Sequence, residues 1–122
     1  MKSILVAEDE PAVLALASMI VKRANYNAVE AADGVEALEI LESGVPVDAI
    51  ISDIMMPRMS GVDLVKAARL KFPQIPVLFI SGYAGNIHEG TKGLLQENGI
   101  NFLAKPFTPT QLTKSIENLF GG

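Results

Sequence analysis

Five times along the chain a short apolar run gives way to an amphipathic stretch, and this alternation limits the fold more than any other feature. The runs are SILVA (3–7), YNAVEA (26–31), DAIIS (48–52), PVLFIS (76–81) and NFLA (101–104). They are rich in Val, Ile and Phe and are flanked by turn residues, so they read as strands. The first, third and fourth are almost continuously apolar, which predicts burial on both faces, as in a parallel sheet.

The stretches between the runs predict helices. Pro11 stands where a first helical residue would be, and Val13, Ala17, Ile20, Val21 and Ala24 form one apolar face. Ala37, Leu38 and Leu41 repeat the pattern after Asp33 and Gly34, and residues 61–72 follow with Leu64 and Ala68 inward. Thr108, Pro109 and Gln111 spell a capping box ahead of Leu112, Ile116 and Leu119. The helix expected within 88–99 is the weakest, because Gly90 and Gly93 each cost roughly 1 kcal/mol against alanine. A short or movable element is expected there. Strict alternation of strand and helix implies right-handed crossovers and a doubly wound α/β sandwich.

The chain has 122 residues, 49% of them hydrophobic, enough for one domain with a full core. Residues 1–120 are assigned to it, and Gly121 and Gly122 to a frayed end or cut linker. A net charge of -4 argues against nucleic acid as a direct partner. No apolar run is long enough to span a membrane, and the start lacks the pattern of a signal peptide. The absence of cysteine excludes disulfides and thiolate metal sites. The expectation is a cytoplasmic domain without membrane contact.

In such a sheet ligands sit outside the carboxyl ends of the strands. Glu8 and Asp9 lie there after the first strand, Asp53 after the third, Ser81 and Gly82 after the fourth, and Lys105 and Pro106 after the fifth. Carboxylates gathered without a partner raise one another's pKa. A hard divalent cation removes the repulsion, and magnesium takes carboxylates, waters and phosphate oxygens. Each residue alone has a plainer explanation. A strand-end acid is commonly solvated or a helix cap, Ser81 a turn residue, Lys105 a surface lysine, Pro106 the start of a loop. Their joint occurrence at four strand ends points to a metal–phosphate site. Glu10 is placed outside this set, in the first turn of the first helix, where an acid suits the helix dipole.

VAEDE (6–10), ISDIMMPRMSG (51–61), FISGYA (79–84) and FLAKPF (102–107), in this order and spacing, resemble the receiver domain of two-component response regulators over nearly the whole chain. The resemblance implies a flavodoxin-like (βα)5 fold, a five-stranded parallel sheet in the order 2-1-3-4-5. It implies that Asp53 accepts a phosphoryl group from a phosphohistidine on a histidine kinase or histidine phosphotransfer protein. Asp9 would ligate Mg2+ directly, Glu8 would be an outer or water-mediated ligand, and the backbone carbonyl of Met55 would be a further ligand. Ser81 would bind the phosphoryl group and Lys105 would pair with it, followed by a cis bond to Pro106. Phe102 occupies the switch position, where many members carry tyrosine. Its rotation, coupled to Ser81, would alter the surface of the fourth helix, fifth strand and fifth helix. Pro57 and Gly61 would shape the loop after the phosphoacceptor. Met55 and Tyr83 would control water access and slow the domain's own dephosphorylation. A dimer formed on phosphorylation is among the outcomes the family admits. ISGYAG and FLAKPFT look similar to terminal receivers of hybrid histidine kinases.

Rival functions fit less well. A non-phosphorylated receiver-like interaction scaffold would lack the acids or the lysine. A flavin binder of this fold would need a Ser/Thr-rich phosphate loop where the chain has EDEPA, and a haloacid-type phosphatase a second acid where Met55 stands. A DNA-binding regulator would need an output domain. His88, beside glycine, reads as a solvated loop residue, Tyr83 and Gly85 as part of a loop that rearranges, and Met55, Met56 and Met59 as loop packing rather than a cofactor box.

Overall fold

The computed structural model describes residues 1–82 and 99–121. Strands β1 (Ser3–Ala7), β2 (Asn27–Ala31), β3 (Ala49–Asp53), β4 (Val77–Ser81) and β5 (Ile100–Ala104) form one sheet. All neighbours are parallel, in the order β2-β1-β3-β4-β5. Among the described residues the helices are α1 (Pro11–Arg23), α2 (Gly34–Glu42), α3 (Gly61–Lys71) and α4 (Pro109–Leu119). Tyr83, Gly85, His88 and the helix expected within 88–99 lie outside the described residues. The helix α4 is thus the one that the capping box announces.

The sequence pattern accounts for the layering. In β1, β3 and β4 every residue is buried, whereas β2 and β5 mix buried, half-buried and exposed positions. The continuous apolar runs therefore fill the centre and the mixed ones the edges. The sheet's period of two then sorts side chains between two cores. Leu5, Ile50, Val77 and Phe79 pack with Leu41, Leu64 and Val65 of α2 and α3. Ile4, Val6, Ile51, Leu78 and Ile80 pack with Ile20, Val21, Leu112 and Ile116 of α1 and α4. Each such side chain, fully buried, stabilises the fold by about 1.5–3 kcal/mol relative to exposure.

Helix starts are set by local chemistry. Thr108 and Gln111 exchange both bonds of a capping box, at 3.1 and 2.8 Å. The Asp33 carboxylate accepts from the Glu36 amide at 2.9 Å to start α2. The Ser60 hydroxyl accepts from the Asp63 amide at 3.1 Å to start α3. Glu10 departs from expectation: it is the N-cap of α1, not a first-turn residue, and its side chain makes no capping bond. Its carboxylate turns toward the strand ends instead.

Register brings those ends level. Ala7 is opposite Ser52, so Glu8 stands beside Asp53. Asp53 is opposite Ile80, and Ser81 opposite Ala104, which puts Lys105 one residue beyond. Gly61 fastens the start of α3 beneath this edge. A Cβ there would overlap the Asp53 carbonyl oxygen and meet Ser52 Oγ, and the Gly61 amide donates to the Ile54 carbonyl at 2.9 Å. Gly61→Ala is therefore expected to cost about 1–3 kcal/mol or more. Urea unfolding would read this as a lower midpoint, and an unchanged midpoint would mean that α3 can shift away from β3.

Candidate functional site

Three of the strand-end residues meet directly. Lys105 Nζ lies 2.8 Å from Asp53 Oδ2 and 2.9 Å from Glu8 Oε2. Glu10 Oε1 is 3.3 Å from the same nitrogen. Lys105 leaves the end of β5, where its amide donates to the Ser81 carbonyl at 2.8 Å, and the Lys105–Pro106 bond is cis. The remaining oxygen of Asp53, Oδ1, accepts from the Met55 amide at 3.1 Å. The loop after β3 therefore orients one side of this carboxylate and the lysine the other.

Burial differs sharply among the acids. Glu8 is fully buried and Asp53 nearly so, while Asp9 and Glu10 are exposed. Burial pushes the Glu8 carboxyl up to about 7, against the lowering pull of Lys105 and of the Glu10 amide, which donates to Glu8 Oε1 at 3.1 Å. Lys105 is held above its ordinary range: burial disfavours its charge, but the attraction of the Asp53 and Glu8 carboxylates outweighs that.

Glu8, Glu10 and Asp53 each place a carboxylate oxygen within 4.8 Å of the others. Glu8 Oε2 is buried and, although close to the ammonium, receives no well-directed hydrogen bond. A set of hard oxygens with one lone pair unmet suits a small divalent cation such as Mg2+. Glu10 thus joins the cluster from which the sequence reading excluded it. Asp9 stands at its rim: with Glu10, Asp53, Met55, Gly82 and Lys105 it lines an open pocket of about 480 Å³.

The other expected residues surround this centre. Ser81 is buried at the end of β4. Phe102 is half-buried, opposite Phe79 in register and packed on the core that α2 and α3 cover. Met55 is 53% exposed at the pocket wall, whereas Met56 and Met59 pack against that core. Pro57 lies in the β3–α3 loop, where its carbonyl accepts from the Met59 amide at 2.8 Å. Tyr83 falls outside the described residues.

Two features were not read from the sequence. An apolar groove of about 450 Å³, lined by Val13, Leu16, Gly82, Lys105, Pro106 and Phe107, adjoins the acidic pocket and shares its lysine. On the far side of the loop, Arg58 Nε and Nη2 donate to Asp33 Oδ2 and Oδ1 at 2.9 and 3.1 Å. That bond holds the Asp33 carboxyl below its usual range. Arg58 itself has φ 68, a left-handed conformation that costs a residue with a side chain. The only hint in the sequence was the turn-like context of each partner.

The raised Glu8 carboxyl predicts a pH dependence in magnesium-free buffer. The folded state holds the Glu8 proton more tightly than the unfolded chain, so this group's contribution is full below about 4.5 and is lost as pH rises through about 7. Urea unfolding at a series of pH values should show stability declining over that window and a flatter profile in Glu8→Gln. Parallel profiles for the two proteins would contradict the assignment.

Comparison with known proteins identifies the family. The family model described as the response regulator receiver domain matches residues 4–117. Sensor kinase CckA of Brucella abortus is 37% identical over 118 residues, covering 96% of this chain but only 12% of the kinase. Chemotaxis protein CheY1 of Helicobacter pylori is 34% identical over 121 residues, covering 97% of this chain and 96% of that protein. The crystal structure of the receiver domain from hybrid histidine kinase CckA superposes with a TM-score of 0.79 at 38% identity, covering 96% of this chain and 97% of that one. Among the described residues no helix is long and apolar enough to cross a membrane.

Proposed function

The chain belongs to the response regulator receiver domain family, and on that premise we propose that it accepts a phosphoryl group on Asp53 and passes the change to its surface. One observation carries the proposal. The Asp53 carboxylate is tied at one oxygen to the Met55 amide and at the other to Lys105, within a cluster of acids. A nucleophile must be held still and its target's negative oxygens neutralised, and this arrangement supplies both.

Glu8, Asp9, Asp53 and the Met55 carbonyl would hold Mg2+, with Glu10 near enough to join through water; bound there, the ion would neutralise phosphoryl oxygens. The Asp53 carboxylate attacks phosphorus as the phosphorus–nitrogen bond of the donor breaks, and its electron pair returns to the imidazole. Lys105 then exchanges part of its contact with Asp53 for a phosphoryl oxygen. The Ser81 hydroxyl turns toward the same group, and Phe102, half-buried beside Phe79, moves into the space released. Hydrolysis of the acyl phosphate needs water in line with the bond, past Met55, which stands at the pocket wall. Methionine cannot orient that water usefully, which favours a long-lived phosphoryl form.

The donor is a phosphohistidine on a kinase core or phosphotransfer protein. The match to a hybrid kinase's receiver supports this, as does the apolar groove beside Lys105, which a protein helix could fill and a small anion could not.

Acetyl phosphate with magnesium should add one phosphate by intact mass, chelator should prevent it, and Asp53→Asn should abolish it. Labelling of Asp53→Asn at another residue would overturn the assignment. Leu16→Glu places a charge in the groove. It should slow transfer from a phosphorylated histidine phosphotransfer domain by about tenfold or more, as loss of an interface anchor does, with acetyl phosphate labelling kept. Equal slowing with both donors would remove the groove from donor recognition.

A further inference from the structure

We infer that the Arg58–Asp33 ion pair is a positioning device that sets the β3–α3 loop and, through it, the orientation of the Asp53 carboxylate; the inference rests on the phosphoacceptor reading of Asp53. The loop is anchored at both ends. At its start the Met55 amide holds Asp53 Oδ1 at 3.1 Å, and at its end Ser60 caps α3 and the Gly61 amide reaches the Ile54 carbonyl. Between these points Arg58 grips Asp33 with two hydrogen bonds of 2.9 and 3.1 Å. Asp33 cannot swing to follow, because the same carboxylate caps α2. Next to it Met59 presses its carbonyl and Cβ into the space that a side chain on Gly34 would occupy. The start of α2 is thus a fixed wall against which residues 58 and 59 are held.

Stability alone does not explain the pair. Arg58 is more than half exposed, and a pair of that kind adds little in water. Its backbone, meanwhile, sits in the left-handed region. A strained residue held by a weak surface contact marks a geometry that matters locally. The geometry in question is that of the Met55 backbone, three residues before Arg58, which bonds to the carboxylate and stands at the pocket wall. If the loop is released, Oδ1 of Asp53 loses its fixed donor, and the carboxylate turns with the lysine alone.

Arg58→Gly separates position from stability, because glycine tolerates the left-handed backbone while the ion pair is lost. Asp33→Asn keeps the cap of α2 and removes the charge. Mg2+ affinity, from titration of the Met55 amide resonance, and the rate of Asp53 labelling by acetyl phosphate at saturating magnesium are measured for each variant, for the double variant and for Arg58→Lys. Arg58→Gly should weaken magnesium binding and slow labelling by about tenfold, as loss of outer supports does, with an unchanged or higher melting temperature. Arg58→Lys should lie between Arg58→Gly and wild type, and the double variant should be no worse than the poorer single one. Wild-type rates and affinity in Arg58→Gly, or losses that add in the double variant, overturn the inference. Absence of labelling in wild type overturns the phosphoacceptor reading and this inference with it, whereas normal wild-type labelling with an indifferent Arg58→Gly overturns this one alone.

Discussion

One ammonium standing among three carboxylates organises this molecule's carboxyl edge. Glu8 is wholly buried at the end of a central strand, where an isolated charge would be costly. Asp53 lies beside it on the neighbouring strand, and the two carboxylates repel one another. Lys105 offsets the repulsion from two strands further along the sheet, at distances of 2.8 and 2.9 Å. Burial nevertheless keeps the Glu8 carboxyl raised, and one of its oxygens lacks a directed donor. An edge balanced in this way offers carboxylate oxygens that a further cation could share.

The sheet provides the spacing that this balance needs. Parallel pairing in the order β2-β1-β3-β4-β5 puts the strands bearing Glu8 and Asp53 side by side and brings β5 within a lysine's reach. Close backbone contacts then lock the intervening loops. Gly61 lets α3 begin directly under Asp53, and Gly34 lets α2 begin directly against Met59. In this way α2, which contributes no residue to the acidic cluster, packs against the loop that follows Asp53.

Most of the framework was legible from residue patterns. Each strand lies within a residue of its apolar run, because runs rich in Val, Ile and Phe bounded by turn residues mark a strand locally. The capping box of α4 was readable because both partners sit three residues apart, and local chemistry needs no tertiary information. The helix starts at Asp33 and Ser60 rest on equally local bonds. Glu10 was misplaced for a physical reason: an acid beside a helix start can serve the helix or turn away, and periodicity does not distinguish the two. The Arg58–Asp33 pair was invisible because its partners are 25 residues apart and neither belongs to a periodic pattern.

What the sequence by itself determined is the alternation of strand and helix, the burial of β1, β3 and β4, and the residue types available at each strand end. These follow from side-chain periodicity, turn chemistry and apolar content, all of which act over a few neighbouring residues. The tertiary structure decided which of those strand-end groups touch. It drew Glu10 in beside Lys105, left Asp9 at the rim, and tied the loop behind Asp53 to the cap of α2. Such choices depend on strand register and on side-chain direction across elements distant in sequence, where a displacement of one ångström separates an ion pair from two solvated charges.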